Sequence, residues 1–554
     1  MYLRSQILHA RNLHSCRRLL NENGANNVKV PLRETEHTVS GSSDAAIHRV
    51  KIFNLPSKDN SAVKRLFESL GIKRLRKSPQ WDYGFLNFQN ETLKTKYIKI
   101  SQEEIDKQFE AKKKAVTEEL QQDHRTPAEQ LADQVTPLAK LPYEAQLRKK
   151  NRKGIKQLLA LRRKLTQLPD LTEASKAQIA WAFTKEDLPF DILDPIGSPV
   201  IDGYRSKCEF SIGKDLDGKP TVGFMLGLYR EGITAVMDPS ACIHIPDTAK
   251  RIAKATEEYI QSSEHPVYDK VNQTGVWRSL MTKTQRSGDV MIVLQIKVAE
   301  LSEQEIAAEK KKLVSFYTDL QQQLGHNKVN VATVLLQLWD GRSTGITEKA
   351  PTEVLLGDGY IYEDMLDHKF RISSQAFFQV NTSAAEELYK KCAEWCHIDR
   401  SKKTTLLDLC CGTGTIGITM SKSVDRVIGI DIVPEAIADA QANAALNNIE
   451  NVEFTASKIE DRLDMIAQQQ NDDVVAVLDP PRCDAKQALP NFISLCKPTS
   501  RRFTGAPFVP SRAVIVDLFP HTEHYELMVE FVRQPPSSAT SPPLEQTNSS
   551  SVTL

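Results

Sequence analysis

The sequence predicts an α/β protein whose C-terminal third is built on a parallel β-sheet. From about residue 380 onward, short apolar runs alternate with helical patterns, which is typical of parallel strands joined by crossover helices. The first of these runs leads into a glycine-rich turn that opens a helix. The four runs are residues 406–409, 427–430, 474–478 and 513–518.

Length and composition set the class of protein. At roughly 150 residues per domain, 554 residues correspond to about three or four domains. With 72 basic and 71 acidic residues, a uniformly basic nucleic-acid coat is excluded, although local basic patches are not. No apolar run reaches the ~18 residues that a membrane span needs. The nine cysteines lack paired spacing, so we expect reduced thiols rather than a disulfide framework.

The first 47 residues predict a basic leader. Residues 1–21 contain four arginines and no acidic residue, and their leucines and isoleucine can share one helical face. This pattern is typical of a mitochondrial transit peptide, and the alternative is a frayed basic tail. At the other end, residues 534–554 are rich in proline, serine and threonine and predict a disordered tail.

Residues 48–101 predict a small α+β module. Strand patterns at 48–55 and 83–88 flank a helical stretch at 61–70. These strands resemble the two strand motifs of an RNA recognition motif, in degenerate form. The resemblance implies that Tyr83 and Phe85 stack on unpaired bases. The alternative is a degenerate domain used for protein contacts.

Two regions separate this module from the parallel sheet. Residues 102–189 predict a charged helical linker, and its segment 148–164 holds nine basic residues and no acidic one. That segment is either a solvated face or a phosphate-contacting helix. Residues 190–375 predict a separate α+β domain that binds the substrate. Its β-rich runs, punctuated by turn dipeptides, are residues 204–212, 221–229, 290–298 and 329–338.

The glycine-rich turn predicts a nucleotide-type pocket. Gly412 and Gly414 let the backbone bend tightly and approach a ligand. Asp431 follows about 20 residues on, at the end of the next apolar strand, where a carboxylate can accept ribose hydroxyls. A dinucleotide site is one interpretation of this turn, because Gly412, Gly414 and Gly417 have G-x-G-x-x-G spacing.

A second motif favours a different ligand. The buried run 474–478 leads directly into Asp479-Pro480-Pro481-Arg482, a rigid turn with a polar tip beside the pocket. The combination resembles an S-adenosylmethionine-dependent methyltransferase, with a Rossmann-like class I domain, acting on a planar base. The alternative is that Asp479 only caps a turn.

Methylation of a pyrimidine at C5 sets further requirements. C5 is not nucleophilic, so a thiolate must first add at C6. A base must then remove the C5 proton before the thiolate leaves. The chemistry therefore needs one cysteine and one general base near the methyl donor.

Residues 190–533 resemble the tRNA and rRNA uracil-5-methyltransferase family. The motifs that carry the resemblance are Tyr204-Arg205-Ser206-Lys207-Cys208-Glu209-Phe210, Ala376-Phe377-Phe378-Gln379-Val380-Asn381, the glycine turn, Asp479-Pro480-Pro481-Arg482 and Asp517-Leu518-Phe519-Pro520-His521-Thr522-Glu523-His524-Tyr525-Glu526. The resemblance implies that Gln379, Asp431 and Asp479 surround the methyl donor and target base, and that Glu526 abstracts the proton. Cys410 stands where bacterial relatives have an aromatic residue at the cofactor site.

The nucleophile is assigned to Cys483 by the same resemblance. In the family a helix and a strand separate the Asp-Pro-Pro-Arg turn from the cysteine motif, whereas Cys483 follows Arg482 directly. We infer that this segment has been lost, as it would be if an exon were skipped. The alternative is that Cys483 is a structural residue that does not act as the nucleophile. Cys496 lies in an apolar helical run and fits a core position. Cys392, Cys396 and His397 could suggest a metal site, but their spacing fits one face of a helix better.

The resemblance implies an enzyme that forms 5-methyluridine at position 54 in the tRNA T-loop. Its partner would be tRNA, with the target base flipped out of the stack, and the protein would be a monomer with no metal and no membrane contact. Phosphates would contact residues 148–164 and Tyr204, Arg205 and Lys207. The alternatives are a tRNA-binding protein without catalysis and a methyltransferase for DNA or protein. The N-terminal module favours a cytoplasmic or nuclear location, and the leader favours mitochondria.

Overall fold

The computed structural model describes three short strands between residues 48 and 88 and most of residues 125–533. Gaps fall at 169–170, 172, 186, 227–234, 271, 326–328, 342–344, 348–349, 463–472 and 480–507. The chain divides into two compact units, of which one contains residues 6–124 and 228–233.

The N-terminal unit contains an antiparallel three-stranded sheet. Its strands are β1 (His48–Ile52), β2 (Leu75–Arg76) and β3 (Gly84–Phe88), in the order β1-β3-β2. The predicted strands at 48–55 and 83–88 are therefore confirmed at nearly the predicted places, and β2 was not predicted. The predicted helix at 61–70 and Tyr83 lie outside the described residues.

The second unit begins with helices from the predicted linker. They are α1 (Pro127–Val135), α2 (Tyr143–Thr166) and α3 (Glu173–Gln178). Thr126 and Glu129 form a capping box that starts α1. The buried face of α2 includes Leu147, Gly154, Leu158 and Leu165. A Cβ at Gly154 would lie 2.3 Å from the Ile515 side chain, so glycine is what lets α2 pack this closely.

A seven-stranded sheet follows, in the order β11-β10-β9-β8-β5-β6-β7. It is antiparallel except for the parallel pair β9–β10, and two helices accompany it. All four β-rich runs predicted at 190–375 are confirmed as strands with shifted ends. The elements are β4 (Asp191–Ile192), β5 (Lys207–Lys214), β6 (Pro220–Met225), β7 (Val236–Met237), α4 (Asp247–Ser262), β8 (Trp277–Thr284), β9 (Asp289–Ile296), α5 (Glu303–Gly325), β10 (Asn330–Leu338) and β11 (Thr352–Leu356).

The predicted parallel sheet is present in the last third of the chain, with the order β16-β15-β14-β17. All three of its strand pairs are parallel. An antiparallel hairpin, β12–β13, and a helix precede it. The elements are β12 (Tyr360–Met365), β13 (His368–Ser373), α6 (Thr382–Trp395), β14 (Thr404–Leu409), α7 (Thr415–Met420), β15 (Arg426–Asp431), α8 (Pro434–Leu446), β16 (Val452–Ala456) and β17 (Asp473–Leu478).

The last predicted strand is not part of that parallel sheet. β18 (Phe508–Val516) pairs antiparallel with β19 (Glu526–Arg533) and parallel with β4, in a sheet of order β19-β18-β4. The expectation that residues 513–518 continue the parallel series is wrong, because β18 pairs with β19 and β4 and with no described strand of the parallel sheet. Within the described residues, β17 pairs only with β14, and Val474 on it is 42% exposed.

One hydrophobic core joins the two C-terminal sheets. Buried residues of the parallel sheet, of α6 and of β18 contact one another in a single cluster. Members from each part are Leu406, Val427, Leu388, Trp395, Val514 and Val516. Part of the parallel sheet, α6 and the β18–β19 hairpin are thus held by one core. No helix among the described residues has the length and apolarity needed to cross a membrane.

Candidate active site

The glycine turn lies where β14 ends and α7 begins. Cys410, Gly412 and Gly414 all have positive φ angles, of 63°, 53° and 77°. The backbone N–H groups of Cys410 and Cys411 both donate to the carbonyl of Ile430, which ties the turn to the neighbouring strand at 2.8 and 3.1 Å. Gly412 and Gly414 adopt this left-handed conformation without strain, because glycine has no Cβ.

The two glycines meet different surroundings. A Cβ at Gly414 would lie 2.8 Å from the Phe454 ring, so close packing as well as φ requires glycine there. A Cβ at Gly412 would meet nothing within 4 Å. The turn is therefore closely packed at Gly414, whereas the space beside Gly412 is open.

Asp431, at the end of β15, faces this turn. Its Oδ2 accepts from the backbone N–H of Gly412 at 2.9 Å, and its Oδ1 accepts from that of Val433 at 2.9 Å. These bonds fix a carboxylate beside the open part of the turn. Asp479 follows β17 at the same edge of the sheet, and its backbone N–H donates to the carbonyl of Leu409 at 3.2 Å.

Asp408 is a site residue that the sequence reasoning did not single out. It is fully buried in β14, and its Oδ2 accepts from the Gly417 N–H at 2.8 Å. Burial, and secondarily the negative charge of Asp431, raise the pKa of Asp408 to about 7. An acidic residue inside an otherwise apolar strand is the signal that could have identified it.

Gln379 lies on the loop between β13 and α6 and is buried. Lys283, itself buried, donates to the carbonyls of Ser373 and Ala376 at 2.7 and 3.0 Å, which holds the start of this loop. Burial and the neighbouring Lys207 lower the pKa of Lys283 to about 7. Asn381 ends the loop and caps α6 by accepting from the Ala384 N–H.

Glu526 is the first residue of β19 and is 1% exposed. It stands opposite Val516 in the hairpin register. The turn between them, residues 517–525, is called the base turn below. Val516 and Met528, close to Glu526 on the hairpin, belong to the core cluster that also contains Cys411 and Ile416 beside the glycine turn.

The predicted RNA-contacting residues have different environments. Tyr204 is buried, and its hydroxyl donates to the carbonyl of Pro520 at 3.0 Å, an arrangement that favours a packing role. Lys207 starts β5 and forms a half-exposed ion pair with Glu209 at 2.8 Å. Arg205, which lies between these two residues in the sequence, is partly buried. Phe85 lies in β3, in the other unit.

Some predicted residues are not placed. Cys483 and Cys496 lie outside the described residues. In the described part of the chain, no group of three or more histidine, cysteine or acidic side chains could hold a metal ion. The structure thus brings together the glycine turn, Asp431 and Asp479 at one sheet edge, while the nucleophile assignment stays a prediction.

The chain is similar to known methyltransferases. A family model described as a methyltransferase domain matches residues 400–506. The mouse protein "tRNA (uracil-5-)-methyltransferase homolog A" is 37% identical over 438 residues, covering 73% of this chain and 69% of the relative. The zebrafish homolog B is 35% identical over 435 residues, covering 73% and 87%. The chain belongs to the tRNA (uracil-5-)-methyltransferase family.

A solved structure is also similar. The Pyrococcus abyssi tRNA (uracil-54, C5)-methyltransferase, in complex with S-adenosyl-L-homocysteine, is 20% identical, with a TM-score of 0.47. It covers 71% of this chain and 85% of its own. The expected family membership is therefore confirmed on the curated relatives, and this chain is a methyltransferase.

The cofactor of a methyltransferase in this family is S-adenosylmethionine, and the residues present fit it. The open space over Gly412 admits a ligand against the backbone. The Asp431 carboxylate, fixed by two N–H donors, is placed to accept ribose hydroxyls. The donor supplies an electrophilic methyl group when bound. The chain supplies the pocket that orients it.

Proposed function

We propose that this protein methylates C5 of a uridine in tRNA, at position 54 of the T-loop. The observation that carries the proposal is that one hydrophobic core supports two features of the site. The first is the glycine turn with Asp431 beside it, and the second is the β18–β19 hairpin that carries the buried Glu526. The names of the curated relatives supply the substrate class.

Four side chains have roles in the proposed reaction. The thiolate of Cys483 forms a bond to C6 of the uracil, which moves the electron pair to C5. C5 then takes the methyl group, and the donor leaves as its thioether. The Glu526 carboxylate removes the C5 proton, and the C6–S bond breaks to release the thiolate. Gln379 and Asp479 orient the base and the donor.

The wider RNA surface is proposed from the same family match. The target uridine leaves its stack to enter the site, a step that such enzymes need because the reacting atom is inaccessible in stacked RNA. Arg205 and Lys207 contact phosphates on the central domain. In the N-terminal unit, Tyr83 and Phe85 stack on unpaired bases, as in an RNA recognition motif. Cys410 lines the donor site.

Methyl transfer tests the proposal directly. Purified protein should move tritiated methyl from S-adenosylmethionine to uridine C5 of a T-loop transcript. Cys483→Ala should abolish incorporation, and Cys496→Ala is its matched control. Glu526→Gln should lower turnover sharply, whereas Glu530→Gln, four residues further along β19 and in a partly buried ion pair with Arg512 of β18, should not. Equal activity in Cys483→Ala and the parent protein would contradict the assigned nucleophile.

A second function is tRNA binding without catalysis. The parallel sheet ends at β17 in the described residues, and β18–β19 form a separate sheet. The alignment with the mouse protein has 438 positions but uses only 73% of this 554-residue chain. The alignment is therefore longer than the part of this chain that it contains, so there are gaps on the side of this chain. The gaps in this alignment support a missing segment, and the family motif pattern places it between Arg482 and Cys483, where the cysteine would otherwise be fixed by a strand.

Two measurements separate these functions. The catalytic form makes a covalent complex with 5-fluorouridine RNA, because the thiol adds but the fluorine cannot leave as a proton does. Tight tRNA binding without that complex favours the non-catalytic form. The transcript sequence between the codons for Arg482 and Cys483 decides whether the segment was lost.

A fluorescent fusion of residues 1–30 tests the proposed cytoplasmic or nuclear location against a mitochondrial one.

A further inference from the structure

The base turn is held through its backbone carbonyls. Four consecutive carbonyl oxygens accept a hydrogen bond, and each donor comes from a different part of the chain. The pairs are Asn381 Nδ2 to Leu518, Lys150 Nζ to Phe519, the Tyr204 hydroxyl to Pro520 and the Leu138 N–H to His521. Two of these donors belong to the segment predicted as a linker.

Lys150, on α2, makes the central contact. Its ammonium group donates to Asp517 Oδ1 at 2.6 Å and to the Phe519 carbonyl at 2.9 Å. Lys150 and Asp517 have side chains 1% and 0% exposed. Burial lowers the pKa of Lys150, and the charge of Asp517 opposes that shift. A buried pair of this kind loses most when one partner is removed, because the other charge is left uncompensated.

The basic segment 148–164 therefore serves a purpose that neither sequence interpretation included. Lys153, one turn after Lys150, donates to the Glu523 carboxylate and carbonyl at 2.9 and 3.2 Å. Gln146, one turn before it, accepts from the His521 N–H at 2.8 Å. One face of α2 thus contacts the base turn from its start to near its end.

These contacts determine where Glu526 lies. Asp517 Oδ1 also accepts from the Phe519 N–H at 3.0 Å, so the Lys150–Asp517 pair fixes the bend that leaves β18. The residue before that bend, Val516, pairs with Glu526. A shift of the bend is therefore passed to the carboxylate, and a displacement of about 1 Å can lower a catalytic rate about 100-fold.

We infer that Lys150 is a positioning residue for proton abstraction by Glu526. The inference rests on the proposed function. Lys150 contacts neither donor nor uracil; it acts by holding the base turn. Loss of Lys150 slows the step in which the C5 proton passes to the Glu526 carboxylate and the C6–S bond breaks. The methylated covalent adduct between enzyme and RNA then accumulates.

The test compares Lys150→Met with Lys390→Met, which breaks a surface ion pair with Glu387 on α6. In Lys150→Met we expect kcat to fall about 100-fold with the KM values for RNA and donor little changed. A methylated RNA–protein adduct should be visible on denaturing gels. Lys390→Met should match the parent protein. Unchanged kcat in Lys150→Met, or a loss without adduct, would overturn the inference.

Two further measurements cover other outcomes. Tyr204→Phe removes only the hydroxyl that binds the Pro520 carbonyl, and it replaces Lys150→Met if that variant does not fold. Amide hydrogen exchange of residues 517–526 needs no turnover, so it tests the positioning role even if the parent protein is inactive and the proposed function fails. Exchange should rise in Lys150→Met and not in Lys390→Met. Equal protection in all the proteins would refute the positioning role.

Discussion

The buried carboxyl of Asp408 should give the protein a measurable dependence of stability on pH. In the folded state the pKa of Asp408 is raised from its ordinary value of 3.8 to about 7, chiefly by burial. Between these two values the folded protein keeps a proton that the unfolded chain has released. The free energy of unfolding therefore falls as the pH rises through this window, and the contribution is complete only below pH 3.8.

The magnitude follows from the shift. About 3 pH units at ~1.36 kcal/mol each give a ceiling of about 4 kcal/mol, and about half of this lies between pH 5.5 and 8. Asp408→Asn removes the titration and keeps an oxygen for the Gly417 N–H. We expect the variant to gain about 2 kcal/mol relative to the parent protein on going from pH 5.5 to pH 8.

Urea unfolding, followed by tryptophan fluorescence at several pH values without methyl donor, measures this difference. Trp395 belongs to the same core as β14 and reports on the relevant transition. Asp217→Asn, at an exposed turn between β5 and β6, is the matched control and should run parallel to the parent protein. If Asp408→Asn also runs parallel between pH 5.5 and 8, Asp408 does not hold a proton in the folded state and the reasoning fails.

Two further predictions concern the site. In denaturant titrations without donor, Gly414→Ala should lower stability more than Gly412→Ala, because the Cβ at 414 meets Phe454 at 2.8 Å, whereas Gly412→Ala should cost only about 1 kcal/mol of backbone strain. Equal effects would contradict the packing argument. Lys283→Met should lower stability by about 2–4 kcal/mol, since two carbonyls lose their donor. Because the pKa of Lys283 is lowered to about 7, its contribution grows above pH 7, and the loss in denaturant titrations should be larger at pH 9 than at pH 6.

The predicted features whose geometry the structure confirms are local in sequence. The strand, the glycine turn and Asp431 lie within 26 residues, and the Asp431–Gly412 bond spans 19 positions. Glycine type, apolar runs and a strand-end carboxylate are visible in such a window, so pattern alone indicates the geometry. Four strands of the central domain, β5, β6, β9 and β10, were found for the same reason, with errors of a few residues at their ends, whereas β7, β8 and β11 were not predicted.

The features that were missed depend on distant contacts. The basic segment 148–164 looks uniform in sequence, but Lys150 is buried against Asp517 and other residues of α2 face solvent. Nothing in the local pattern distinguishes these lysines, because the difference comes from a turn 367 positions away. The separate β18–β19 sheet was missed likewise, since an apolar run does not specify its pairing partner.

The long sequence separations at the base turn have a consequence for how this protein is dissected. Donors from Leu138, Lys150 and Tyr204 must meet a turn that lies at least 316 positions later in the chain, and such non-local closure is slow in folding. A fragment of residues 376–533 would keep the contact between Gly412 and Asp431 but lose three of the four carbonyl donors. Expressed alone, that fragment would be a methyl-donor module with a misplaced base, so a truncation study would report binding and turnover as separable traits.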